Sequence, residues 1–65
     1  MVVLTLPDRS TIEEPVRGRR LETLLVDLGL NPCEVIVTRD ARLLPDDALL
    51  AEDDRLRIVT IIHGG

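Results

Sequence analysis

The groups that could do chemistry in this sequence are few, and they gather at its end: His63-Gly64-Gly65, with a single cysteine, Cys33, in the middle of the chain. A terminal carboxylate has a pKa of about 3.5, so at neutral pH it is ionised and a poor electrophile, and it must be activated before any nucleophile can attack it. Two glycines in front of it suit such activation. Without Cβ atoms they take extended or left-handed angles and can enter a narrow channel that a bulky side chain would block. Chance alone ends about one chain in two hundred in Gly-Gly, so the motif acquires meaning only from the elements that present it. His63 and Cys33 lack an orienting third group, and nucleophilic catalysis needs one. We read His63 as a tail residue and Cys33 as a buried or half-buried small hydrophobe. The acidic clusters Asp46-Asp47 and Glu52-Asp53-Asp54 read as solvated turns, because nothing fixes their side chains around an ion. The expectation is no metal site and no catalytic residue in the chain itself.

A length of 65 residues fits one small domain. Of these, 45% are hydrophobic, chiefly Leu, Val and Ile with no aromatic residue, which implies a tightly packed aliphatic core. Twelve acidic against eight basic residues give a formal charge of -4. That balance repels phosphate backbones, and the lack of aromatics removes stacking platforms, so no direct nucleic-acid binding is expected. One cysteine cannot form an intramolecular disulfide, and a reducing compartment is the default. The N-terminus has no secretory pattern, and no segment approaches the about 18 apolar residues of a membrane helix. The expectation is a cytoplasmic protein, mature as written, without membrane contact.

The elements follow from periodicity. Val2 to Leu6 alternates as a strand, with Val2, Leu4 and Leu6 on one face, and Pro7-Asp8-Arg9-Ser10 supplies a turn. Thr11 to Val16 returns as a weaker edge strand, open to a bulge, since Pro15 cannot donate a ladder bond. Leu21, Leu24, Leu25 and Leu28 recur at helical spacing between Arg20 and Leu28, giving about three turns. Gly29 is placed as the left-handed stop, Leu30 as its hydrophobic contact and Pro32 as a block to continuation. The helix start has no Ser, Thr, Asp or Asn cap, and Arg19-Arg20 sits at the positive end of the helix dipole, which leaves these cations available to a partner. Glu34 to Thr38 predicts a third strand, with Arg39 to Arg42 as a polar turn into a short fourth strand at Leu43-Leu44. Ala48 to Asp54 is a connection with room for one helical turn. Arg55 to Ile62 closes the order as a strand, with Leu56, Ile58, Thr60 and Ile62 on one face and Arg57, Val59 and Ile61 on the other.

This β-β-α-β-β-β order, with the run Asp53-Asp54-Arg55-Leu56-Arg57-Ile58-Val59-Thr60-Ile61-Ile62-His63-Gly64-Gly65, resembles the ThiS/MoaD-like β-grasp sulfur carriers. Leu21-Glu22-Thr23-Leu24-Leu25 followed by Leu28-Gly29-Leu30 fits as well. Val3-Leu4-Thr5-Leu6-Pro7-Asp8-Arg9 looks more like the bacterial carriers for tRNA 2-thiouridine synthesis than like thiamine carriers. The lack of aromatics departs from the molybdopterin-synthase small subunit. The resemblance implies an α+β, ubiquitin-like β-grasp fold: a mixed four- to five-stranded sheet with one main helix on one face, residues 1–62 as the domain and residues 63–65 as a flexible tail.

The resemblance further implies that the Gly65 carboxylate is adenylated by an E1-like enzyme using ATP and converted to a thiocarboxylate, with Gly64 required for entry into the active site. The chain would be a co-substrate, without enzymatic activity or an intrinsic cofactor. Its partners would be the adenylating enzyme, a sulfur donor such as a cysteine desulfurase or rhodanese, and a sulfur-accepting synthase or tRNA thiolase. Strand alternation offers Val59 and Ile61, with Ile36 from the third strand and Arg57 beside them, as the surface a partner would grip. Two other roles share the same ending: a protein modifier joined through Gly65 to lysines, and a β-grasp interaction module without sulfur chemistry.

Overall fold

The computed structural model of the protein describes residues 1–61. Ile62, assigned above to the last strand, and the tail His63, Gly64 and Gly65 lie outside the described residues. Within them the chain forms β1 (Val2–Thr5), β2 (Thr11–Glu14), α1 (Leu21–Asp27), a 3-10 turn (Pro32–Glu34), β3 (Val35–Arg39), β4 (Arg42–Leu43) and β5 (Arg55–Thr60). The strands make one five-stranded mixed sheet in the order β2-β1-β5-β3-β4, with β1 parallel to β5 and the other pairings antiparallel. With one helix on one face, this is the α+β β-grasp architecture.

Alternation along each strand decides what is buried. Val2 and Leu4, Leu56 and Ile58, and Val35 and Val37 point to one face, where Leu21, Leu24 and Leu25 of α1 cover them. Leu44 and Leu50 close the rim. Among the described residues no polar or charged residue is buried, so this small core carries no desolvated charge.

The helix is shorter than its periodicity predicts. Leu21–Asp27 spans about two turns, and Leu28 is the C-cap, only half-buried. Its end is as expected: Gly29 is left-handed at φ 79°, its N–H donates to the Val26 carbonyl at 2.9 Å, and the Leu30 N–H donates to the Leu25 carbonyl at 2.8 Å. These two bonds make a Schellman stop. The uncapped start is completed from elsewhere. The N–H groups of Leu21 and Glu22 donate to the carbonyls of Ala48 and Asp46, both at 2.9 Å, so distant backbone takes the place of a capping side chain. That segment, expected to hold a helical turn, instead bridges Leu49 to Arg20 in an antiparallel contact.

Arg19 and Arg20, which the sequence leaves available to a partner, are used within the domain. Arg19 donates to the Val16 carbonyl at 3.4 Å and to Asp27 Oδ2 at 2.9 Å, and Arg20 donates to the Asp47 carbonyl at 2.6 Å. The β1–β2 ladder is regular and stops at Glu14, so Pro15 ends the strand instead of bulging it. The short fourth strand falls one residue earlier than expected, at Arg42–Leu43, and Thr60 is exposed although its phase matches Ile58.

Asp40 and Ala41 form the two-residue β3–β4 turn, both left-handed, at φ 53° and 64°. An Ala there is strained, whereas Gly29 relieves strain in open space, with no atom within 4 Å of the point a Cβ would occupy. Ala41→Gly should therefore stabilise the domain by about 0.5–1 kcal/mol and Gly29→Ala destabilise it by about 1 kcal/mol, read as opposite shifts in urea midpoint at constant slope.

Candidate functional site

The face of the sheet turned away from α1 is built by the residues that alternate with the core. Ile36 of β3 lies directly opposite Val59 of β5, and they are 39% and 44% exposed. One step along, a row crosses four strands: Thr5 of β1, Arg57 of β5, Thr38 of β3 and Leu43 of β4. The structure thus brings Ile36, Val59 and Arg57 together, as strand alternation predicts. Arg57 is exposed and makes no ion pair among the described residues. Ile61 joins them less fully. It lies beyond the end of β5, is half-buried, and is tied to β3 by its N–H donating to the Glu34 carbonyl at 2.8 Å.

Leu43, 73% exposed, belongs to the same face and is not among the surface residues that alternation picks out. The Leu43-Leu44 pair carries no phase, and only the register Thr38 opposite Leu43 shows which of the two points outward. Leu44 is buried.

Where β1 ends, β5 continues for three more residues, and an open concavity of about 680 Å³ lies there, bordered by Thr5, Pro7, Arg9, Arg57 and Thr60. Pro7 has no N–H with which to extend the parallel ladder, which is a physical reason for the gap. The wall of this groove is set by the β1–β2 turn. Asp8 Oδ1 accepts from the Ser10 hydroxyl at 2.6 Å and from the Ser10 N–H at 2.9 Å, while Arg9 is left-handed at φ 72° with its N–H on the Leu6 carbonyl. The Ser10 hydroxyl, then its N–H, lower the Asp8 pKa below its ordinary 3.8. A lowered carboxylate favours the folded turn above the unfolded pKa, and this preference is lost as pH falls through the folded value. Ser10→Ala should bring the Asp8 midpoint back up toward 3.8, followed by carboxylate chemical shifts during an acid titration.

Cys33 is exposed in the 3-10 turn, which corrects the expectation of a buried or half-buried residue. Asn31 caps that turn, its side chain accepting from the Cys33 N–H at 2.9 Å, and the cap turns the thiol outward from the helix-side core. No group of three or more His, Cys, Asp or Glu residues capable of holding a metal occurs among the described residues. Within the cluster Glu52-Asp53-Asp54, Asp54 accepts from the Ala51 N–H at 2.9 Å and from Arg39 at 3.4 Å, and Glu52 pairs with the Met1 ammonium. No helix among the described residues is long and apolar enough to cross a membrane.

A five-stranded β-grasp sheet whose last strand buries one face and presents an apolar pair and an arginine on the other defines a ubiquitin-like class of domain. Comparison with known proteins narrows the class. The chain is 42% identical over 65 residues to the sulfur carrier protein TtuB of Thermus thermophilus, covering 98% of this chain and 97% of that protein. It is 36% identical over 58 residues to an uncharacterised protein of Archaeoglobus fulgidus, covering 89% and 85%. No family model matches the chain. The chain belongs to the family of the sulfur carrier protein TtuB.

If Cys33 has no part in sulfur handling, Cys33→Ser should melt within about 0.5 kcal/mol of the parent protein, as an exposed site does, and load sulfur at an unchanged rate. Loss of loading would assign the thiol a persulfide role.

Proposed function

We propose that this protein is a sulfur carrier, a co-substrate whose Gly65 carboxylate is activated and loaded by partner enzymes. The observation that carries the reading is the identity with a sulfur carrier along nearly the whole of both chains. In the proposed sequence the carboxylate oxygen attacks the α-phosphorus of ATP in an E1-like enzyme, releasing pyrophosphate. A persulfide from a donor such as a cysteine desulfurase or rhodanese then attacks the acyl carbon, AMP leaves, and a thiol cleaves the resulting S–S bond to leave a Gly65 thiocarboxylate. ATP is consumed by the partner, so the carrier needs no cofactor of its own. The sulfur acceptor in this reading is a tRNA 2-thiouridine synthase, with thiamine thiazole synthesis as the other destination. All of these steps belong to a cytoplasmic setting.

The residues divide the work. Gly64 and Gly65 enter the activating site, where a Cβ would obstruct the nucleotide. Ile36 and Val59 give the partner an apolar contact, with Leu43 beside them and Arg57 supplying a charge for an acidic group. Burying such a pair contributes to docking without touching the core, because both side chains stand on the face opposite Leu56 and Ile58.

The central test is intact mass after incubation with ATP, the cognate activating enzyme and a sulfur donor. The expected gain is that of sulfur replacing oxygen at Gly65, and deletion of Gly64-Gly65 should remove it; no gain with a verified cognate enzyme would refute the carrier role. Ile36→Asp combined with Val59→Asp should cut the rate of adenylation by about 100-fold while far-UV circular dichroism stays that of the parent. Unchanged turnover would refute the docking surface alone.

A further inference from the structure

All eight basic residues of the chain are arginine, and the 65 residues contain no lysine. The α-amine of Met1 is engaged: its ammonium donates to Glu52 Oε1. That hydrogen bond, ahead of the charges around it, raises the amine's pKa above its ordinary 8.0 and so keeps it protonated to higher pH. The fold also sets it apart from the tail. The Met1 carbonyl accepts from the Asp53 N–H, so Met1 lies level with the residues just before β5. Val3 is level with Arg55, so Met1 lies two residues behind the start of β5, and Thr60 stands five residues ahead of it, a separation of about 23 Å along the extended strands. The five residues from Ile61 to Gly65 reach about 17 Å at full stretch, too short to bring a chain's own Gly65 back to its Met1.

We propose that the chain is a donor-only acyl carrier, unable to receive on any of its own side chains, as a lasting amide, the acyl group that it carries. The inference rests on activation of Gly65 as proposed above and extends it to the fate of the activated end. An amide would form when a neutral amine places its lone pair on the Gly65 acyl carbon, the bond to the phosphate oxygen breaks, AMP departs with the electron pair, and the nitrogen loses its proton to water. Lysine is the usual acceptor for such transfers, and guanidinium groups stay protonated with no lone pair to offer. The exposed Cys33 thiol can accept the acyl group only as a thioester, which another thiol reopens. Activated carriers can therefore crowd together without joining into chains or rings. Lysines on an acceptor protein remain open to attack, so a modifier of this type would add single copies.

The test uses the full chain with ATP and its activating enzyme, once with a sulfur donor to verify the Gly65 thiocarboxylate by mass, and once without it. The second reaction is resolved under denaturing conditions with excess dithiothreitol, and linkage is read by mass spectrometry. The wild-type protein should give no amide-linked multimers. Arg17→Lys and Arg42→Lys, both at exposed positions, should raise them by about tenfold or more. Wild-type multimers as abundant as those of the lysine variants would overturn the inference, as would lysine variants that load sulfur normally yet form none. Failure to form the thiocarboxylate at all would instead remove the activation of Gly65, and this inference with it.

Discussion

The parallel pairing of β1 with β5, which sets Leu4 beside Leu56 and Thr5 beside Arg57, is the contact on which the remaining structure depends. It joins the first and last strands of the chain at the middle of the sheet, leaving β2 and β4 as the edges. The chain crosses from one side of that pair to the other, between β2 and β3, through α1, the one α-helix among the described residues, which also covers the buried face. Because β5 is central, its inward residues Leu56 and Ile58 are nearly inaccessible while its outward neighbours Arg57 and Val59 are open to a partner. One strand thus anchors the core and presents exposed side chains on the opposite face, separated by the alternation of a single residue.

That arrangement makes the helix a dependent element. Seven residues are too few for an isolated helix to persist in water, and no side chain caps its first turn. It is held by the Schellman stop at one end and at the other by carbonyls from the segment between β4 and β5. Arg19 ties its last turn, through Asp27, to the carbonyl of Val16 in the loop that enters it. Arg19 and Arg20, which the sequence leaves available to a partner, are spent on these contacts, whereas Arg57 on the sheet faces outward beside the apolar pair.

Local signals in the sequence were enough for the strands, the helix stop at Gly29 and the outward phase of Ile36, Arg57 and Val59, since each depends on a period or on one residue's backbone freedom. Long-range contacts were not legible. The cap of α1 comes from residues 46 and 48, the outward turn of Leu43 follows only from its register with Thr38, and the internal use of Arg19 depends on where Val16 and Asp27 come to lie. Cys33 was misplaced for the same reason: a small apolar side chain after a helix favours burial, and the Asn31 cap that turns it outward leaves no periodic trace. The family was legible because the order of elements and the terminal run are properties of the sequence itself.

The central position of β5 also bears on how copies of the protein are made. A chain interrupted before Arg55 would have β1 and β3 with no strand between them, and the contacts that join them span most of its length. Such non-local closure comes late in folding, so a growing chain cannot complete its sheet until β5 has left the ribosome. Incomplete products would stay unfolded and exposed to proteases. Folding thus acts as a proofreading step on synthesis: a copy that passes it has been translated through β5.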